Sequence, residues 1–409
     1  MKAVCILVQN YYDVDIRVRR KAEALVSAGY VVDVLALRSP FSDSNRYELC
    51  GVNVETLDLG KKRGSLLRYL FEYVAFFVWA CFKLSIRMNE RQYAVVDVNN
   101  LPDFLIFAGV YAKWHGSKLV LDMHEITPEF YISKYGINED SFLIRILKWV
   151  EKLSFDFADC VITINEPITH LLVSRGLPLA KTTEIMNSVD ESLFDKVAGP
   201  PSTPKPRFVM MYHGTLTHIY GLDIAIKAFG LVHTEMPDSQ LWILGNGPEK
   251  PALQALTEEL GLKDKIRFIG SVRPEEVPEW LTLCDVGVLA TRRDIFLDFS
   301  FSNKLSEYII LNKPVIASRL KAIRHYFSED ALSFFEPNDE SALAKQMVRI
   351  YGSLDLRSQL VTKAKQEYAP ICWERMKNRY LDLMAGISGT NGYESAPETR
   401  PAVLSILGQ

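Results

Sequence analysis

Short apolar runs separated by amphipathic segments recur along this chain, stop at one proline-rich stretch, and then begin again. A buried run followed by a segment of helical period marks stacked βαβ units around a parallel sheet. In the first half the strand candidates are Ala3–Val8, Val31–Leu37, Ala94–Val98, Lys118–Asp122 and Cys160–Ile164. Arg17 to Gly29 reads as a helix closed by its glycine. Gly199-Pro200-Pro201-Ser202-Thr203-Pro204-Lys205-Pro206 can continue neither element and reads as a linker. Phe208–His213, Gln240–Leu244, Ile266–Ile269, Val286–Leu289 and Val315–Ala317 follow as a second series of strands. The expected fold class is α/β, with two doubly wound Rossmann-like domains facing across a cleft. The expected boundaries are 1–198 and 207–370, with linker 199–206 between them. Ligands are expected at the carboxyl edges of the strands.

Composition agrees with this reading and removes several alternatives. A chain of 409 residues, 48% hydrophobic, can fill two cores. A net charge of −3 argues against nucleic acid as a partner. Cys5, Cys50, Cys81, Cys160, Cys284 and Cys372 are far apart and form no Cys-x-x-Cys. They suit buried thiols in a reducing cytoplasm, neither a disulfide framework nor a zinc site. The amino terminus enters a strand directly, so no signal peptide is expected. Residues 386–409 are rich in Gly, Ser, Pro and Thr and are expected to be disordered.

The segment from Ser302 to Ala317 says most about chemistry. Leu305, Tyr308 and Ile309 follow a helical spacing, Asn312 extends it, and a strand begins after Pro314. Ser302 is the expected N-cap, which places Asn303 and Lys304 in the first turn. A lysine there opposes the helix macrodipole, and a bound anion resolves the conflict. Glu307 lies one turn on, on the same face, and suits hydroxyl groups. Lysine for phosphate and glutamate for hydroxyls describe a nucleotide-sugar site. An exposed Lys304–Glu307 ion pair is the plain alternative.

Ser302-Asn303-Lys304-Leu305-Ser306-Glu307-Tyr308, running into Leu311-Asn312-Lys313-Pro314-Val315-Ile316-Ala317, resembles the donor-binding signature of retaining glycosyltransferases of the GT-B fold. The resemblance is strongest to family 4, the glycosyl transferases group 1. Asn303 stands where proline is frequent there, and Asn312 where glycine is. Tyr212-His213-Gly214-Thr215-Leu216 and Tyr220-Gly221-Leu222-Asp223 resemble the same family's glycine turn at the diphosphate. Thr215 and Tyr220 occupy places where many members carry arginine and lysine, so phosphate charge must lean on Lys304, helix N-termini, and Arg292 or Arg293. Leu244-Gly245-Asn246-Gly247-Pro248-Glu249 resembles the turn beside the nucleotide base. Phe299 stands where the first glutamate of a familiar pair is frequent, with Asp298 beside it.

By resemblance, the donor-binding residues are Gly214, Thr215, Asn246, Gly247, Arg292, Asn303, Lys304, Leu305 and Glu307. His124, in Asp122-Met123-His124-Glu125, joins Glu307 as a catalytic candidate; a histidine satisfied inside a loop network is its alternative. Asp13, Asp15, Arg17 and Arg19 are assigned to the acceptor side or to diphosphate charge, with a solvated helix face as the equal alternative; Glu125 is assigned to the acceptor side, and Asn99 to Asp103 to the cleft lining. Ile185 to Asp190 resembles a hinge segment, and a helix over 371–385 is expected to cross back to the first domain. The implied activity is transfer of a sugar from a nucleotide-diphosphate sugar to a saccharide or lipid-linked saccharide acceptor, with surface-polysaccharide assembly as a setting. No metal and no other cofactor are expected. An epimerase or hydrolase of nucleotide sugars, and a non-catalytic binding relative, are the competing readings. Lys61, Lys62 and Arg63 precede the aromatic-rich stretch Leu66–Ile86, so peripheral membrane contact through 61–91, on the cytoplasmic face, is a further expectation. A helix buried on one face is its competitor.

Overall fold

The computed structural model describes residues 2–42, 44–61, 66–195 and 203–389. Of the expected linker and tail, only 203–206 and 386–389 fall among these; the rest lies outside the described residues. The first sheet contains β1 (Ala3–Tyr11), β2 (Val31–Leu37), β3 (Arg46–Leu49), β4 (Val52–Leu57), β5 (Tyr93–Asn99), β6 (Lys118–Met123), β7 (Cys160–Thr163) and β8 (Thr182–Glu184). Their spatial order is β3-β4-β2-β1-β5-β6-β7-β8. β1 pairs with β2, β2 with β4 and β7 with β8 in parallel, while β3 is antiparallel to β4. The second sheet contains β9 (Phe208–His213), β10 (Ser239–Leu244), β11 (Ile266–Gly270), β12 (Val286–Leu289), β13 (Val315–Ser318) and β14 (Ser333–Phe335). It is parallel throughout, in the order β11-β10-β9-β12-β13-β14.

Helices α1 (Ile16–Ser27), α2 (Leu66–Glu90), α3 (Val110–Trp114), α4 (Thr127–Tyr135), α5 (Phe142–Phe157) and α6 (Glu166–Ser174) alternate with the first set of strands. α7 (Leu222–Val232), α8 (Lys250–Glu259), α9 (Val277–Thr282), α10 (Asn303–Ile310), α11 (Lys321–Tyr326) and α12 (Glu340–Gly352) alternate with the second. α13 (Leu354–Tyr368) and α14 (Trp373–Ile387) end the described chain. Both sheets are therefore Rossmann-like, as the alternation predicts. Strands covered by helices on both faces must be apolar throughout, and Val4 to Leu7 and Val209 to Met211 are fully buried. By contacts the chain divides into two compact units. One holds Met1–Val98, Ala108–Val120 and Asn378–Gln409; the other holds Asn99–Phe107 and Leu121–Lys377.

Four strands escape the sequence reading. β3 and β4 form an edge hairpin whose two turn residues, Cys50 (φ 52°) and Gly51 (φ 77°), are left-handed. Only the glycine announces such a turn. β8 and β14, at three residues each, are too short to show a period. Asn312 is not a further member of the α10 apolar face. It follows the helix at φ 58°, and the Lys313 N–H returns to the Tyr308 carbonyl at 2.8 Å. Asparagine thus does there what glycine ordinarily does after a helix.

Candidate functional site

β9 and β12 are the neighbours at which the strand order of the second sheet reverses, and ligands of such sheets sit outside the carboxyl ends at that point. β9 ends at His213, and Gly214 follows at φ 123°. A Cβ at Gly214 would lie 2.3 Å from Lys304 Cε, so both the backbone and the lysine demand a bare glycine. β10 runs into Gly245, where a Cβ would meet the Gly214 carbonyl oxygen at 1.9 Å; at Gly247 one would meet that of Leu216 at 2.3 Å. These two loops pack backbone against backbone, the Leu216 N–H donating to the Asn246 carbonyl at 2.9 Å. Glycines 245 and 247 are thus required by loop-on-loop contact before any ligand is considered. Thr215 and Asn246 stand exposed, and Asn246 Oδ1 accepts the Gly247 N–H at 3.0 Å.

α10 faces these loops with its first turn. Ser302 holds the N-cap position with extended backbone, but its hydroxyl makes no capping bond, contrary to expectation; its carbonyl accepts the Leu305 N–H at 3.0 Å instead. Leu305 is fully buried, so its side chain belongs to the core. Asn303, partly exposed, opens the helix. Lys304 makes no hydrogen bond or ion pair to any described residue. Its ammonium lies 4.0 Å from the centre of the Tyr220 ring and 5.7 Å from that of Tyr212, held by cation–π attraction.

The plain alternative, a Lys304–Glu307 ion pair, does not form among the described residues. Glu307 Oε2 bonds to His213 Nε2, and Oε1 has no partner among the described residues. His213 Nδ1 meets the Tyr308 hydroxyl at 2.9 Å, and that hydroxyl donates to the Met211 carbonyl at 2.7 Å. Burial pushes the Tyr308 phenol well above its ordinary range, so it remains a neutral donor. Its oxygen must accept from Nδ1–H, and the contact between Nε2 and Glu307 then needs one shared proton. Gly287 on β12 leaves room for this tyrosine: a Cβ there would lie 2.5 Å from the ring. Sequence reasoning missed His213, the Tyr308 hydroxyl and Tyr220 as parts of the site. Each is visible in the chain, but no local spacing joins β9 to α10.

The arginines offered for phosphate charge are already engaged. Arg292 Nη2 donates to both carboxylate oxygens of Asp223 at 2.6 and 2.8 Å, Nε to the His218 carbonyl at 3.1 Å, and Nη1 to Asn338 Oδ1 at 3.2 Å. Arg293 meets Asp298 at 3.3 Å and Glu336 at 3.7 Å. Asp298 also accepts the Lys321 N–H at 2.9 Å, and Lys321 Nζ stands 4.8 Å from the Phe299 ring.

After β6, His124 is 3% exposed with both ring nitrogens occupied. Nε2 lies 2.7 Å from Asn99 Oδ1 and 3.3 Å from Asp122 Oδ2, and Asn187 Nδ2 lies 3.3 Å from Nδ1. The asparagine donates to Nδ1, which fixes the proton on Nε2. This is a ring satisfied inside a loop network. Asn100 clamps the same loop, accepting the His124 N–H at 2.8 Å and that of Glu125 at 3.2 Å. Its amide donates to the Glu125 carbonyl at 2.7 Å and to Asp103 at 2.8 Å. In the other unit, Asp15 accepts two bonds from Arg17 at 3.0 Å and one from Asn10 at 2.6 Å. Asp13-Val14-Asp15 is the one Asp-x-Asp spacing in the chain, and this pairing already occupies its second carboxylate.

Two family models match the chain: a glycosyl transferase 4-like domain over 14–188 and glycosyl transferases group 1 over 207–353. The lipopolysaccharide core biosynthesis glycosyltransferase LpsD of Rhizobium meliloti is 27% identical over 186 residues, 44% of this chain and 50% of that protein. The chain spans about half the length of the curated relatives it matches. Among solved structures, sucrose-phosphate synthase from Thermosynechococcus elongatus superposes with a TM-score of 0.74 at 20% identity, over 96% of this chain and all of that one. Anabaena Alr3699/HepE, solved in complex with UDP-glucose, gives 0.66 at 15% identity, over 94% of this chain and all of its own. Both likenesses concern the fold.

Proposed function

The chain belongs to the glycosyl transferases group 1, and from that premise we propose that it moves a sugar from a nucleotide-diphosphate sugar to a hydroxyl of a saccharide or lipid-linked saccharide, with retention at the anomeric carbon. One observation carries the reading: the Lys304 ammonium, unpaired among the described residues, is presented by the first turn of α10 to a glycine turn at the switch point of the second sheet. A cation left without an anion beside free helix N–H groups fits a diphosphate.

The bond between anomeric carbon and phosphate oxygen breaks as the acceptor oxygen attacks from the same face. The acceptor proton passes to the departing phosphate. Lys304 and the α10 N-terminus stabilise the charge that develops there. Glu307, fixed through one oxygen by His213, offers the other to the ribose hydroxyls and holds the donor in register. Thr215 and Asn246 line the two loops over it. His124, with both nitrogens engaged, acts as a positioning residue for the loops after β5 and β6. Neither a metal nor another cofactor enters this scheme, so a chelator should leave the rate unchanged. Six free cysteines support a cytoplasmic setting. The name of LpsD supports an acceptor of the surface-saccharide class.

Calorimetry with a panel of nucleotide-diphosphate sugars tests the reading. One donor should bind, and Lys304→Ala and Glu307→Gln should each weaken it about tenfold or more. No binding by folded protein would overturn it. Turnover of donor with no acceptor present would replace it with a hydrolase or epimerase.

A further inference from the structure

α2 is amphipathic in the wrong sense for water. Between 67 and 86 every exposed residue is apolar: Leu67, Leu70, Phe71, Val74, Val78, Phe82 and Ile86. Glu72, Lys83 and Arg87 turn inward instead. Glu72 is buried and bonded to Arg68 at 2.8 Å; Lys83 and Arg87 each reach the buried Glu55 at 2.7 Å. A helix facing solvent shows the opposite arrangement. Tyr73, Phe76, Ala80 and Leu84 bury the remaining face in the first unit, where the helix packs on β1, β2 and α3. Those contacts and inward ion pairs tie α2 to the sheet, so it cannot leave to cross a bilayer, although its mean hydropathy of 1.4 over an 18-residue window would suffice.

We propose that α2 is a membrane-docking surface that lies lengthwise in the interface of an anionic bilayer. The stripe from Leu67 to Ile86 is about 29 Å long at 1.5 Å per residue, a narrow strip suited to shallow insertion along its whole length. Charge favours a lipid surface over a second copy of the chain. In the sequence Lys61, Lys62 and Arg63 precede the stripe, Lys62 and Arg63 lying outside the described residues; Arg68 stands at its amino end, and the exposed acid Glu90 lies beyond it at the other. The Arg68 guanidinium lies 5.2 Å from the centre of the Phe71 ring, next to the stripe rather than buried beneath it. Stacking two such stripes brings basic ends together in one orientation and gains a single acid in the other. An anionic surface complements the basic end in either case. α3, packed beside α2, exposes Trp114 and Val110, side chains of the interfacial kind.

This inference stands independently of the transferase reading, because lipid binding is measured without donor. The full chain is floated with phosphatidylcholine vesicles, with and without phosphatidylglycerol, beside the double variant Val78→Glu/Phe82→Glu. Both side chains are well exposed, at 59% and 63%, so the substitutions leave the core intact. Equal melting temperature and equal donor affinity verify that the variant is folded. The wild type should float with phosphatidylglycerol vesicles and release as salt rises, with the bound fraction of the variant lower by about tenfold or more. Absence of flotation overturns the proposal, as does flotation the variant leaves unchanged. So does a wild-type dimer in light scattering that the variant dissolves, which would assign the stripe to a second copy.

Discussion

Two histidines follow two strands of this molecule, and they are used in opposite ways. His124, after β6, spends both ring nitrogens on Asn99, Asp122 and Asn187 and is sealed from water. His213, at the end of β9, ties down Glu307 and leaves one oxygen of that carboxylate, at 22% side-chain exposure, without a described partner. The nearby cations divide likewise: Arg292 is consumed by Asp223, His218 and Asn338, whereas Lys304, among the described residues, rests only on aromatic rings. Polar groups around His124 hold loops in place, while those around His213 are held in readiness. Reactive potential therefore follows unspent hydrogen-bonding capacity rather than the presence of a titratable residue at a strand end.

The harshest way to strain this contrast is Gly214→Ala. The added methyl competes with Lys304 Cε at 2.3 Å, and the backbone must keep φ 123°. Donor affinity should fall by about 100-fold, or about 2.7 kcal/mol, with some loss of stability. If the methyl acts by displacing the ammonium, Gly214→Ala on a Lys304→Met background should cost little further affinity. Full additivity would mean that the two residues serve the donor separately.

On the other side, His124→Ala removes a donor from Asn99 and Asp122 and an acceptor from Asn187. Urea unfolding should show a loss of about 2–3 kcal/mol. Donor affinity of the folded protein should stay within about threefold. Lost donor affinity at unchanged stability would put His124 in the binding machinery and dissolve the contrast. His213→Gln is milder. Glutamine can keep one of the two bonds, so donor affinity should drop about three- to tenfold, roughly 1 kcal/mol, because Glu307 is less well fixed. A loss as large as that of Lys304→Ala would mean that His213 touches the donor itself.

Most of the fold could be read from the chain, because doubly buried strands advertise themselves as continuous apolar runs and because β9 to β13 keep their order beyond the proline-rich stretch. The glycine turn at 214 and the α10 start at Asn303 were equally legible, since backbone requirements are local. What stayed hidden was pairing at a distance. Nothing in the spacing says that Arg292 is taken by Asp223, that the Tyr220 ring supports Lys304, or that His213 shares a proton with Glu307. Nor could the apolar content of 66–86 reveal that Glu72 and Lys83 face inward. Hydropathy counts residues, and only the packed structure shows which face they turn to water.

The gentlest probe lies beneath the His124 side. Arg175 meets Glu129 at 3.1 Å and Glu151 at 3.4 Å; both carboxylates are buried, and Asp103 is buried nearby under Asn100 and Thr127. One guanidinium cannot neutralise three acids. Burial, reinforced by the charge of Asp103, pushes the Glu151 carboxyl up to about 8, and burial also pushes Asp103 up to about 6. A folded-state value above the ordinary one means that the folded protein holds the proton more tightly than the unfolded chain does. The resulting stability is complete below about pH 4.5 and is lost as pH rises through about 8. Wild type should therefore lose stability between about pH 5 and pH 8, and Glu151→Gln, which cannot ionise, should lose less. Because this cluster is internal to the packing of α4, α5 and the end of α6, donor affinity at fixed pH should be the same in both proteins. A pH-dependent change in donor affinity confined to wild type would show that the His124 side communicates with the donor, and the two edges could no longer be treated as separate devices.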